Sequence, residues 1–207
     1  IEQKGTRVGL SAGYEGTVER LFIGNVTKVV HNQDGPDIIT TLEVKDGGNR
    51  YRNARLERGF PPNTTYRQVF NSLASEIGLF VGALVGIPEG FFAHGLSLSG
   101  LVRDHLNLLT KRFRLEWSIQ DEGLQIIPAD KSTLEPGIVL RSDTGLIGSP
   151  NKTDKGVELT SLLQPRIRPG RKITVSSRLI NGVFKVRRVT HRGDNFQGDF
   201  VTELEAT

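Results

Sequence analysis

The hydrophobic period of this chain changes twice along its length, and that change limits the folds open to it. Ile38, Thr40, Leu42 and Val44 fall on one side of a run whose other side carries Ile39, Thr41, Glu43 and Lys45. This is the period of two that belongs to a β-strand. Tyr66, Val69, Phe70, Leu73 and Ile77 recur instead at i, i+3, i+4, i+7 and i+11, which is one apolar stripe of an α-helix. Beyond residue 128 the period returns to two. A chain patterned in this way is mainly β with an α+β insertion, and three sections follow: 1–58, 59–128 and 129–207.

Local signals sharpen each section. In the first, Val8 and Leu10 alternate with Arg7 and Gly9, and Phe22, Ile23, Val26, Val29 and Val30 extend a second strand. Asn32-Gln33-Asp34-Gly35-Pro36 is a turn, and Asp46-Gly47-Gly48-Asn49 ends the strand that follows it. In the second, Thr65 and Gln68 have the spacing of a capping box, and Gly78 stands where a helix C′ residue belongs. A second helix starts after Ser99 with the stripe Val102, Leu106, Leu109 and Phe113, and Lys111 and Arg112 complement its dipole. Leu115, Trp117 and Ile119 alternate up to the turn Asp121-Glu122-Gly123, and Leu124 and Ile126 return. The middle section therefore reads as helix, strand, helix and hairpin. In the third, short strands are expected at Ile138–Leu140, Val157–Ser161 and Ile173–Val175. A tight hairpin is expected at Asn181-Gly182, with strands at Phe184–Val186 and Phe200–Leu204. The flanks form one barrel or two; the pattern does not choose.

Composition excludes several classes. Gly makes up 24 of the 207 residues, above the usual ~7%, as many turns between many strands require. No Cys is present, so disulfides and thiolate metal sites are ruled out. No apolar run reaches the ~20 residues of a membrane-spanning helix. There is no Met, and Ile1 is too bulky to follow a trimmed initiator, so coded residues are expected upstream of Ile1. The net charge of +4 is spread over clusters at Arg50/Arg52/Arg55/Arg58, Arg166/Arg168/Arg171/Lys172 and Arg187/Arg188/Arg192. These read first as solvated faces or strand-edge protection, next as surfaces for acidic proteins, and last as nucleic-acid contacts.

Catalytic chemistry is hard to assemble from these residues. The four histidines, His31, His94, His105 and His191, include no pair in a metal-binding spacing. His105 reads as a packing or helix-surface residue. The string His191-Arg192-Gly193-Asp194-Asn195 is the most site-like, but a turn with Gly193 supplying the bend and Asp194 capping amides explains it without a third ligand. Gly145-Leu146-Ile147-Gly148-Ser149-Pro150 lacks the Lys-Ser/Thr of a phosphate loop. Trp117 has Glu116, Asp121 and Glu122 as acidic neighbours, yet it shares a face with Leu115 and Ile119 and reads as core. No catalytic residue, metal ligand or cofactor is expected, and the chain suits binding and assembly.

Several strings, taken in order, resemble a known family. They are Leu10-Ser11-Ala12-Gly13-Tyr14, Leu21-Phe22-Ile23-Gly24, Asp46-Gly47, Trp117-Ser118-Ile119-Gln120-Asp121 with Leu124-Gln125-Ile126, and Thr144 to Pro150. Ser161-Leu162-Leu163-Gln164-Pro165 with Arg168-Pro169-Gly170-Arg171, and His191 to Asn195, complete the set. Together they are similar to the baseplate hub (tail protein) family of contractile-tail bacteriophages and prophages. The resemblance implies tail-tube-like β-barrel domains flanking the α+β unit, and a homo-oligomer, a trimer, set between the tail tube and the central spike. It also implies a place in the virion after assembly in the bacterial host cytoplasm, and a strand-rich segment ahead of the Ala-Gly-Tyr string. On that reading Arg166, Arg168 and Arg171 are interface residues. The alternative is a cell-wall (peptidoglycan) binding or degrading tail-tip module, against which one Trp and three Tyr form a thin sugar platform. A nucleic-acid barrel is a third reading, with Phe184, Lys185, Arg187 and Arg188 its nearest approach to basic and aromatic residues on one face.

Overall fold

A computed structural model describes residues 5–46, 48–196 and 198–207, the side chains of 48–50 excepted. Ile1, Gly47 and the Arg50 side chain, which enter the readings above, lie outside the described residues. The chain divides into two compact units, Ile1–Leu10 with Phe22–Ala129, and Ser11–Leu21 with Asp130–Thr207.

The chain opens with strands β1 (Arg7–Ala12), β2 (Glu19–Asp34) and β3 (Asp37–Lys45), which form a three-stranded sheet in that order. β2 and β3 are antiparallel, from Val26 opposite Val44 to Asp34 opposite Asp37. The turn between them is Gly35-Pro36, where Gly35 takes φ +61°, a left-handed conformation that glycine adopts without a Cβ clash. The expected alternation along β3 is present, but both of its faces are open: Ile38 is 73% exposed, Ile39 50% and Leu42 49%.

A short helix α1 (Gly48–Asn53) follows, without a forecast in the sequence pattern. Then come β4 (Arg55–Phe60), β5 (Thr64–Thr65), α2 (Tyr66–Ile77), β6 (Phe80–Leu84), β7 (Phe91–Phe92), β8 (Leu96–Leu101), α3 (Val102–Arg112), β9 (Leu115–Gln120) and β10 (Gly123–Pro128). α2 is built as its sequence demands. The Thr65 hydroxyl accepts from the Gln68 amide at 3.2 Å, and the Gln68 side-chain carbonyl accepts from the Thr65 amide at 2.8 Å. At the other end Gly78, at φ +77°, donates to Ser75, and Leu79 donates to Ala74, the paired bonds of a Schellman cap. α3 begins without a side-chain cap; the strand β8 runs straight into it, and the Val102 amide is satisfied by the Ala54 carbonyl at 3.0 Å. Val69, Phe70, Leu73, Ile77, Val102, Leu106, Leu109, Leu124 and Ile126 meet in one core. β6, β10 and β9 form a sheet in that order, β6 parallel and β9 antiparallel to β10. The β9–β10 turn is tight because Asp121 and Glu122 both take positive φ, at +52° and +65°, the twist that suits a two-residue hairpin.

The other unit is a six-stranded sheet built from β11 (Ile138–Leu140), β12 (Leu146–Thr153), β13 (Gly156–Leu162), β14 (Lys172–Ser176), β15 (Asn181–Arg192) and β16 (Val201–Ala206). Their order is β11-β14-β15-β16-β13-β12, curled into a half-barrel. Register shifts at Val186/Arg188 and Ile147/Asn151 are the bulges that sharpen such a curl. Leu140, Val157, Leu159, Ile173, Val175, Val186 and Leu204 fill its inner face, and Ile167 comes down from a loop to join them. All six strands come from the C-terminal flank, and the N-terminal flank keeps a sheet of its own.

Two sequence expectations change here. The hairpin between β14 and β15 does not turn at Asn181-Gly182: Ser176 pairs with Asn181 and Val175 with Gly182, so the loop is Ser177–Ile180. Asn181 serves it from the strand, its side-chain carbonyl accepting from the Ser177 amide at 3.2 Å. Gly182 is small because the Phe184 ring lies against it. Gly193 follows a similar rule. Its φ is not positive; the Phe200 ring occupies the space a side chain would need, 2.7 Å from a Cβ built there.

Candidate functional site

Leu163–Arg171 connects β13 to β14, and it carries the three arginines singled out from the sequence. Its shape comes from backbone and buried anchors. Pro165 and Ile167 are buried, the Ile167 amide donates to the Gln164 carbonyl at 3.0 Å, and Gly170 donates to the Val186 carbonyl and accepts from the Thr133 amide. A second segment of the same unit lies against this loop. The Tyr14 hydroxyl donates to the Phe200 carbonyl and accepts from the Leu163 amide, each at 3.1 Å. The Tyr14 ring stands edge-on to Phe200 with centroids 5.6 Å apart.

Beneath the loop the sheet core turns polar. Thr202 is fully buried on β16. Its hydroxyl accepts from the Gln164 amide at 2.9 Å and lies 2.9 Å from Nδ1 of His191 on β15. That hydroxyl can donate one bond and accept two, so it meets Nδ1 as donor or acceptor according to the tautomer of the ring. Burial pushes the His191 pKa below its ordinary value, a backbone hydrogen bond to Ile167 works the other way, and the nearby Arg168 charge lowers it further. The lowered pKa favours the neutral ring, and the bond to Thr202 ties β15 to β16 beneath the loop. Its neighbour in sequence, Asp194, accepts from the Phe196 amide at 2.7 Å, the capping turn expected of it.

Arg166 and Arg168 reach neighbouring residues of β2. Arg166 Nε bonds both carboxylate oxygens of Glu19, at 2.9 and 3.2 Å, and Arg168 donates to the Arg20 carbonyl at 2.8 Å. Arg171 turns elsewhere, to an ion pair with Glu135. The structure therefore groups two of the three predicted residues and separates the third. Arg166 keeps 63% of its side chain exposed and Arg171 23%. A cleft of about 360 Å³ runs between Tyr14, Thr17 and Glu19 on one side and Ser161–Arg166 on the other. Glu19, Tyr14 and Thr202 were not identified as site residues from sequence. Glu19 and Arg166 lie 147 positions apart, so no local motif could have joined them.

The residues weighed for chemistry have ordinary roles. Trp117 is partly buried against the core, its ring 5.7 Å from Tyr51 and its Nε1 donating to Asn107 at 2.9 Å. Glu122 is bonded to Arg7. Lys185 is buried, Arg188 pairs with Glu205 at 2.9 Å, and Phe184 packs against the core, so the basic and aromatic residues of that run do not share an open face. Among the described residues no group of three or more His, Asp or Glu is placed to hold a metal. No helix among them is long and apolar enough to cross a membrane.

Comparison with known proteins places this geometry. The chain matches the model of a family described as baseplate hub gp41 over residues 1–206. Three solved structures share the fold. A 43 kDa tail protein of prophage MuSo2 from Shewanella oneidensis matches with a TM-score of 0.68 and 12% identity, covering 91% of this chain and 76% of that one. A tail protein from Neisseria meningitidis MC58 matches at 0.63 and 11%, covering 92% and 81%. An E. coli component of the type VI secretion system, described as structurally similar to the T4 bacteriophage tail proteins gp27 and gp5, matches at 0.60 and 12%, covering 96% and 62%. No curated protein sequence matches.

Proposed function

The chain belongs to the baseplate hub gp41 family, and from that premise we propose that it is a non-catalytic hub subunit of a contractile phage tail. Three copies form a ring that joins the tail tube to the central spike, assembled in the host cytoplasm and carried in the virion. The match of the family model over 1–206 carries this reading, and the likeness of the fold to two tail proteins and a type VI component supports it.

Within that role we assign Arg166, Arg168 and Arg171 to an interface with an acidic neighbour. The loop is held from below by Thr202 and His191 and from the side by Tyr14, so the exposed Arg166 and the half-buried Arg168 and Arg171 are presented on a fixed backbone. Such preorganisation lowers the entropy lost on docking.

Light scattering of the protein alone and with its spike protein tests the ring: a trimer, or a trimer formed on the spike, supports it, and a monomer that ignores the spike overturns it. The arginine assignment needs a finer test because Arg166 also bonds Glu19. Arg166→Glu breaks that internal pair and reverses the surface charge together. The double variant Glu19→Arg/Arg166→Glu restores the internal pair while the charge at 166 stays reversed. Assembly lost in both variants supports an interface; assembly regained in the double variant assigns Arg166 to internal structure alone.

A further inference from the structure

Of the three arginines on the loop between β13 and β14, one is placed to change partners. Arg168 donates to a backbone carbonyl, that of Arg20, which cannot turn away while β2 keeps its course. Arg171 keeps only 23% of its side chain exposed beside Glu135. Arg166 differs on both counts. Its side chain is 63% exposed, and its partner is the Glu19 carboxylate, itself 41% exposed, on a side chain whose torsions can turn it to water. Both residues belong to the same compact unit.

The cleft beside this pair fits an incoming group. Its volume of about 360 Å³ lies within the ~300–1,000 Å³ of ligand-binding clefts. Among the described residues of its lining, Arg166 is the one basic and Glu19 the one acidic side chain. The hydroxyl protons there are already committed. Tyr14 donates to the Phe200 carbonyl, Thr17 to Tyr14, Ser161 to Leu162 and Thr144 to Val139. An anion that enters the cleft therefore meets a single cationic donor, and Glu19 is already on it.

We propose that Glu19 is an internal stand-in for a carboxylate of the acidic neighbour. In the free subunit it neutralises Arg166; on docking, an Asp or Glu of the neighbour takes its place on the guanidinium and Glu19 turns to water. This rests on the interface reading above and supplies its regulation. An ion pair this exposed holds its members weakly, because water and salt compete with it. The same guanidinium is held more strongly by a carboxylate that arrives as docking excludes water. The guarded state also discriminates: an acidic surface without the rest of the interface has to displace Glu19 and gains little by doing so.

A fluorescent hexaglutamate peptide is the probe, its binding to the full-length protein read by anisotropy at low salt, with circular dichroism to check that each variant is folded. Glu19→Gln keeps the side-chain shape and removes the competitor. It is expected to tighten peptide binding roughly two- to fivefold, the effect of freeing one exposed pair. Glu15→Gln takes the same charge from the exposed segment between β1 and β2 and is expected to change the affinity less. Glu19→Gln/Arg166→Gln is expected to lose the gain. Equal gains from the two single variants, or a gain that survives the loss of Arg166, would reduce the effect to net charge and overturn the proposal. Glu19→Gln binding no tighter than wild type overturns it too, and binding more weakly would make Glu19 a residue that orients Arg166. If Arg166→Glu abolishes assembly while Glu19→Gln brings no gain, the interface stands and the stand-in alone falls. Assembly unchanged by Arg166→Glu overturns the interface reading and the stand-in with it.

Discussion

Thr202→Val should separate the clasp beneath the arginine loop from the rest of the sheet. The two side chains have nearly the same shape, so packing changes little, but the substitution removes one acceptor and one donor. Thr202 is fully buried, and its hydroxyl meets the Gln164 amide and His191 Nδ1 at 2.9 Å each. Both partners lose their bond, and leaving a buried polar group unmet costs about 1–3 kcal/mol. Gln164 and His191 are only partly buried and can turn to water, so the expected loss is about 1–2 kcal/mol, partly offset by the added methyl. Urea unfolding followed by far-ultraviolet circular dichroism measures it. Amide exchange at Gln164 should accelerate as well, because the loop loses its tie to the sheet. Thr160→Val is the control: Thr160 faces the other side of the same sheet, opposite Glu203, and should change stability by no more than about 0.5 kcal/mol. If the two variants behave alike, the clasp contributes nothing and the account of a loop fixed from below fails.

Three further outcomes follow from the geometry. Thr65→Ala removes the side-chain half of the α2 capping box and should cost about 1 kcal/mol, read by the fluorescence of Trp117 in the same unit during denaturation. Gly156→Ala should cost several-fold more, roughly 2–5 kcal/mol, since Gly156 has φ +146° and a Cβ there would sit 2.0 Å from the Ala206 carbonyl oxygen; calorimetry would show the lowered transition. His191 favours its neutral form when folded, with a pKa below the ordinary 6.5. The unfolded chain therefore binds the proton first, and stability should be flat above that value and fall as pH drops from it toward the lower folded pKa. Urea midpoints across that interval test this, and His191→Asn should flatten the slope.

The parts of the fold that were legible in sequence are those whose causes are local. Thr65, Gln68 and Gly78 specify both ends of α2 within fourteen residues of one another, and the structure uses each as its chemistry suggests. Asp121-Glu122 marks the β9–β10 turn for the same reason. The readings that failed or were missing depend on distant partners. β12 escaped because Gly148, Pro150 and Asn151 break its alternation, and only pairing with β13 holds it as a strand. Asn181-Gly182 has the composition of a turn, but its small residue answers to Phe184 and its amide side chain to a loop it does not belong to. The site is the extreme case: Tyr14 with Leu163 and Glu19 with Arg166 meet across about 150 positions.

Alternation also reports that a strand has a covered face without reporting what covers it. On β16, Thr202, Leu204 and Ala206 alternate with Glu203 and Glu205, and the apolar side is buried by the unit's own sheet while the acidic side pairs with Arg188 and Arg192. On β3, the pattern is as regular, yet nothing in the described chain buries Ile38 or Leu42. Exposed apolar side chains in such a row gain no stability for an isolated subunit and raise its risk of aggregation. A regular period of two is thus the mark of strand geometry alone, and burial of one face, as on β16, is what turns it into stability.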